Sequence, residues 1–174
     1  KLLDIDKDSV HEIKKNMPNM EVFLEEAYNI AEASEDSKNI TVFRFDISHF
    51  KQINDDYGFD VGDRVIVSCY NIIKENVEKY FEKYALGRAH GDEFIVFAPV
   101  GRELVEKAAR SIIEGMDRFD FSQVGSGRQV KCCIGGVTGP NDLSKIRKMI
   151  DQSIDAIYEA KGKGPNSVEF QLFG

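Results

Sequence analysis

Asp92 and Glu93 stand side by side after the glycine of Arg88-Ala89-His90-Gly91-Asp92-Glu93-Phe94. Tyr84-Ala85-Leu86 lies upstream and Phe94-Ile95-Val96-Phe97 downstream. Two apolar runs joined through a His-Gly pair predict a β-hairpin. His is one of the few non-glycine residues enriched at positive φ, so His90-Gly91 can replace Asn-Gly, with His90 left-handed. The hairpin then lifts Asp92 and Glu93 to its tip or just past it. Paired carboxylates on a rigid tip suit a divalent cation. Taken alone, the heptapeptide reads better as a solvated acidic turn, and a second acidic constellation upstream changes that balance.

The second constellation runs from Phe43 to Asp63. Residues 39–45 are β-branched and aromatic in alternation, which predicts a strand with Asp46 at its end. Residues 48–57 predict a short polar helix carrying Lys51 and Asn54, whose N-terminus offers free N–H groups to a phosphate. Gly58 and Gly62 punctuate the loop that follows. Asp63 is expected to open the next helix as a cap or first-turn acid.

The elements that must hold these residues alternate along the chain. Helical spacing of apolar residues predicts a helix over 19–34 on Met20, Phe23, Leu24, Ala27, Tyr28 and Ala31. The same spacing covers 61–81 on Val61, Val65, Ile66, Cys69, Ile72, Ile73 and Val77. It recurs over 102–119, and over 143–161 on Ile146, Met149, Ile150, Ile154 and Ile157. Strands are expected over 130–136 and 167–173, with a Gly/Ser-rich loop over 121–129. Elements in this order make an α+β sandwich, helices on a mostly antiparallel sheet. Residues 8–15 read as the end of a further helix.

Composition sets outer bounds. A chain of 174 residues fits one domain with one core, and 42% hydrophobic with 30% charged residues is globular. The net charge of −7 argues against a surface for duplex nucleic acid. No apolar run is long enough to span a membrane, and no secretory signal is visible. Cys69, Cys132 and Cys133 have no metal-ligand spacing, and a reduced cytoplasmic setting is the simplest expectation. Because the first residue is Lys1, the chain is expected to be part of a longer protein.

Residues 46–63, Asp46-Ile47-Ser48-His49-Phe50-Lys51-Gln52-Ile53-Asn54-Asp55 through Gly58 to Gly62-Asp63, resemble the D-(L/I)-D-x-F-K-x-I-N-D-x-x-G-(H)-x-x-G-D signature of GGDEF domains, the diguanylate cyclase family. Arg88 to Phe94 resembles that family's R-x-G-G-(D/E)-E-F hairpin. Met17-Pro18-Asn19 resembles its L-P-N segment, and Ile157-Tyr158-Glu159-Ala160-Lys161 its L-Y-x-A-K helix end. The resemblance covers residues 17–168, and it implies a GGDEF domain over 17–174 preceded by the end of a signalling helix over 1–16. It also implies a palm-like fold related to the nucleotidyl cyclases.

The resemblance implies condensation of two GTP into cyclic di-GMP and pyrophosphate by two domains meeting as a homodimer. It assigns Asp46, the Ile47 carbonyl and Asp92 to Mg²⁺ or Mn²⁺. Glu93 is expected beside them, as a further ligand or in handling the 3′ proton. Asn54 and Asp63 match the guanine readers. Ser48, His49 and Phe50 offer backbone N–H groups to the phosphates, and Lys51 and Lys161 offer charge. Partners are expected to include other domains of the same chain, with no nucleic-acid polymer and no membrane contact. A cytoplasmic location is implied, either free or as the cytoplasmic part of a larger, membrane-bound protein.

The departures from the family pattern are specific. His90 replaces the first hairpin glycine, Ser48 the second Asp of D-x-D, and Ile154 the Asp of A-D-x-A-L-Y. Phe59 replaces a His and is expected to pack. Glu12-Ile13-Lys14-Lys15-Asn16 does not keep D-x-L-T-G. Pro165 stands where the family has a phosphate-binding Arg, and losing one such charged hydrogen bond costs about 1–3 kcal/mol. The window that carries the family's inhibitory R-x-x-D site reads Phe81-Glu82-Lys83-Tyr84, so no product-inhibition site is expected. The reading that follows is a diguanylate cyclase domain with weakened activity. The alternative is a GTP-binding regulatory domain without turnover, controlling an attached output such as a phosphodiesterase.

Overall fold

The structure, a computed structural model, describes residues 6–174. Lys1 to Ile5 of the expected 1–16 segment lie outside the described residues. Five strands form one sheet in the order β2–β3–β1–β4–β5. They are β1 (Asn39–Ile47), β2 (Ala85–His90), β3 (Glu93–Ala98), β4 (Cys132–Pro140) and β5 (Val168–Leu172). Every neighbouring pair is antiparallel except β4–β5, which is parallel. Six helices flank the sheet: α1 (Lys7–Asn16), α2 (Met20–Glu32), α3 (Phe50–Tyr57), α4 (Phe59–Val77), α5 (Arg102–Arg118) and α6 (Ile146–Gly162). The fold class is α+β, as the order of elements predicted.

Alternation along β1 divides the core. Phe43, Phe45 and Ile47 join Phe94 and Val96 beneath α4 and α5. Ile40 and Val42 join Ile95 and Phe97 beneath α2 and α6. Successive side chains of a strand point to opposite faces, so the central strand is buried on both. Asp46 lies opposite Glu93 on β3 and Cys133 on β4.

Local signals set several boundaries. Asn19 caps α2 by accepting from the Val22 amide at 2.9 Å, and Asp6 caps α1 through the Ser9 amide at 2.7 Å. Gly135 on β4 lets α6 lie directly on the sheet. A Cβ there would run into the backbone of Ala156 and Ile157. That close approach brings the C-terminal turn of α6 over the end of β1.

Several expectations shift. The helix expected over 61–81 is α4, Phe59–Val77, so Asp63 lies in its second turn and does not open it. Residues 143–145 are a 3₁₀ turn before α6. Ile154, expected on the buried face of that helix, is exposed. Phe59 does not pack, remaining 77% exposed. The left-handed residues of the hairpin do not include His90: Gly91 alone takes positive φ there, at 30°. A bulge at Ala89 shifts the register so that His90 pairs with Glu93 across a Gly91-Asp92 turn.

Candidate active site

Asp46, Ile47, Ser48, His49, Phe50, Lys51, Asp92 and Lys161 line one cleft of about 410 Å³ with Cys133, Gly164 and Pro165. Two strand ends and two helix ends meet there. The Ile47 amide donates to the Asp92 carbonyl at 3.0 Å, tying the hairpin tip to the end of β1. Lys161 Nζ reaches Asp46 Oδ2 at 3.3 Å from the last turn of α6.

The electrostatics of this corner are unbalanced. Burial, and then the neighbouring Asp92, push the Asp46 carboxyl up to about 6, against the pull of Lys161. Burial opposes the charge on Lys161, but Asp46, Asp92 and Glu93 together outweigh it and hold the ammonium above its ordinary value. Two carboxylates and one half-exposed lysine leave excess negative charge in a confined space. A divalent cation fits that excess, and hard oxygens are the donors it prefers. Among the described residues no group of three or more His, Cys, Asp or Glu side chains could hold a metal alone. A cation here could be held by the two carboxylates and the Ile47 carbonyl, with its remaining ligands drawn from phosphate and water.

Glu93 is the cross-strand neighbour of Asp46 and its charge acts on both Asp46 and Lys161, yet both its oxygens are engaged elsewhere. Its Oε1 accepts from Arg44 at 3.0 Å, and its Oε2 lies 3.2 Å from His90 Nε2. Arg44, also buried, donates to Ser153 Oγ at 2.8 Å. Glu93 thus links the hairpin through Arg44 to α6. Arg44 and Ser153 were missed from the sequence. A lone arginine in an apolar, alternating strand was the available signal, because a buried charge requires a partner.

The phosphate-facing segment is narrower than expected. The Ser48 amide is engaged by the Lys131 carbonyl at 2.9 Å. His49 takes φ 58° and ψ 35°, the left-handed turn that starts α3. The His49 and Phe50 amides have no backbone acceptor among the described residues. Such a turn at a helix start favours anions. Lys163 faces elsewhere, its ammonium 2.8 Å from Glu169.

Asn54 meets α4 at Gly62, the residue before Asp63. Asn54 Oδ1 is buried with no hydrogen-bond partner and lodges against Gly62, where a Cβ would overlap it. Asp63 is not free: Lys14 of α1 donates to its Oδ1 at 2.7 Å. Between the two regions, Arg88 clamps the Gly91 carbonyl with Nε at 2.8 Å and a terminal nitrogen at 2.6 Å. Burial lowers the Arg88 pKa, while Asp63 and Asp92 both act to raise it. Arg88 therefore lies within electrostatic reach of both acids.

A family profile described as diguanylate cyclase, GGDEF domain, matches residues 14–167. The chain belongs to the GGDEF family. This GGDEF domain is 30% identical over 156 residues to the "Probable diguanylate cyclase DgcT" of Escherichia coli, a match covering 88% of this chain and 34% of that protein. Diguanylate cyclase A of Treponema denticola is 29% identical over 154 residues, covering 84% of this chain and 39% of that protein. The GGDEF domain of PA1120 (TpbB or YfiN) from Pseudomonas aeruginosa superposes with a TM-score of 0.74 at 26% identity, covering 88% of this chain and 90% of that one. The chain thus spans well under half the length of these curated relatives. Among the described residues no helix is long and apolar enough to cross a membrane.

Proposed function

We propose that this GGDEF domain binds GTP with Mg²⁺ or Mn²⁺ and, as a face-to-face homodimer, condenses two GTP into cyclic di-GMP with release of pyrophosphate. The observation that carries this reading is the convergence of Asp46, Asp92 and Lys161 on one cleft beside the start of α3. In each half-site the 3′ hydroxyl of one nucleotide attacks the α-phosphate of the other. A bound divalent cation would offset charge on the attacking and leaving oxygens. Asp46, Asp92 and the Ile47 carbonyl would hold it. The His49 and Phe50 amides, with Lys51 and Lys161, would orient the triphosphate. Asn54 and Asp63 would satisfy the polar edge of guanine, a base they can bond with both donor and acceptor atoms.

Glu93 acts in this reading through position: gripped by Arg44 and His90, it fixes the hairpin that presents Asp92. Pro165 in the cleft wall offers the triphosphate neither charge nor donor, so turnover is weakened. Residues 17–174 form the catalytic domain, and α1, which precedes it, links it to other domains of a longer chain. Incubating concentrated protein with GTP and Mg²⁺, then separating the nucleotides, tests the reading. Cyclic di-GMP is the expected product.

The alternative reading, a GTP-binding regulatory domain without turnover, draws on His90. Its ring stands where a glycine backbone would approach the nucleotide, and it is engaged with Glu93. Saturable GTP binding with no product in that incubation selects the alternative.

A further inference from the structure

The Lys14–Asp63 pair has a chemistry that a simple surface ion pair would not need. Both side chains are largely buried, 22% and 21% exposed. The pair joins α1 to the second turn of α4, one residue beyond Gly62. There the partnerless Asn54 Oδ1 and the edge of Phe50 meet. An amide and a ring edge thus meet at Gly62, and the next residue along α4 carries a carboxylate paired with a cation from α1. The family's D-x-L-T-G pattern carries Leu at this position, which cannot donate.

We propose that Lys14 is a base-specificity residue, forming with Asp63 a donor–acceptor pair that reads O6 and N1–H of guanine. The proposal rests on the GTP reading above. An ammonium can only donate, and an ionised carboxylate can only accept. Guanine presents an acceptor at position 6 beside a donor at N1. Adenine presents the reverse, an amino donor beside a bare ring nitrogen. Against guanine both members of the pair are satisfied; against adenine both face the wrong polarity. Unpaired polar groups of this kind reject a ligand far more strongly than lost apolar contact does. Each carboxylate oxygen has two lone pairs, so the Lys14 bond to Oδ1 leaves Asp63 able to accept from the base. The ion pair also fixes both side chains before the base arrives, which reduces the ordering cost of binding.

The test compares GTP with 6-thio-GTP, whose sulfur is a weak acceptor at position 6, by calorimetric titration with Mg²⁺ on the whole 174-residue chain. The parent is expected to bind GTP about tenfold more tightly than the thio analogue. Lys14→Met should bind the two alike, and Lys14→Arg should restore the preference. The ratio is internal to each variant, so a general loss of affinity from a loosened α1 cancels. A preserved ratio in Lys14→Met overturns the proposal. So does tighter GTP binding on removal of Lys14, which would make the ion pair a cover over Asp63. Failure of the GTP reading looks different: the parent itself binds GTP no better than ATP, and Asp63→Asn changes neither.

Discussion

The Ile47 amide and the Asp92 carbonyl are joined by a 3.0 Å hydrogen bond. It extends the β1–β3 ladder by one step beyond the Asp46–Glu93 pair. Ile47 and Asp92, more than forty residues apart in sequence, are thereby held in one corner, and the side chain of Asp92 remains free to act. Asp92→Asn keeps this backbone bond. It is expected to reduce cyclic di-GMP formation by at least about a hundredfold, since a carboxylate that would hold the cation is lost. Its thermal midpoint should stay with that of the parent. Product chromatography and a melting curve check both halves, and an unchanged yield would remove Asp92 from the metal site.

Asp46→Asn should separate stability from function. In the metal-free protein the Asp46 carboxyl is raised from 3.8 to about 6, chiefly by burial. A raised acid favours the fold while protonated, below about 3.8, and that contribution is lost as pH rises through about 6. Asparagine has no charge to desolvate. The variant should gain on the order of 1 kcal/mol over the metal-free parent at neutral pH, after allowance for solvent screening and the lost Lys161 pair. The gain should shrink towards zero as pH falls to 4. Denaturant titrations with a chelator, at a series of pH values, measure it.

Gly62→Ala is expected to damage binding and spare the fold. A Cβ at this position would overlap Asn54 Oδ1 and lie 3.4 Å from Phe50 Cζ. The nearest obstacle is the end of a half-buried side chain, which can swing aside. Replacing glycine inside a helix gains about 1 kcal/mol of propensity. The melting temperature should hold or rise while GTP affinity falls, and calorimetric titration decides. Undiminished affinity would show that the Asn54 amide does not contact the base.

The cleft wall at Pro165 predicts the order of three phosphate-site variants. Pro165→Arg should tighten GTP binding, because a guanidinium grips phosphate with two parallel bonds. Lys161→Ala should loosen it more than Lys163→Ala. Lys161 lines the cleft, whereas the Lys163 ammonium lies 2.8 Å from Glu169. Affinities at one salt and Mg²⁺ concentration give the order. If Pro165→Arg binds no better than the parent, His90→Gly becomes the variant to make.

Much of this protein was legible in its residues. Hydrophobic period located α2, α4, α5, α6 and β1, because an amphipathic element must bury one face whatever its neighbours are. The two acidic motifs named the family and the corner of the fold where they meet. Helix ends were less legible. Asp63 looked like a cap, yet α4 starts at Phe59, since helix starts are set by backbone geometry at Gly58 as well as by side-chain type.

The tertiary structure alone decided what the charged groups face. Arg44 and Glu93 are distant in sequence, and only the β1–β3 register turns them towards each other, with both Glu93 oxygens engaged. The bulge at Ala89 keeps His90 out of the left-handed region and swings its ring onto Glu93. Lys14 meets Asp63 because α1 packs along α4, a contact with no local signature in sequence. Local propensity depends on neighbours within a turn or two. The partners of a buried charge depend on packing across the whole sheet, and that is fixed only once the chain has closed on itself.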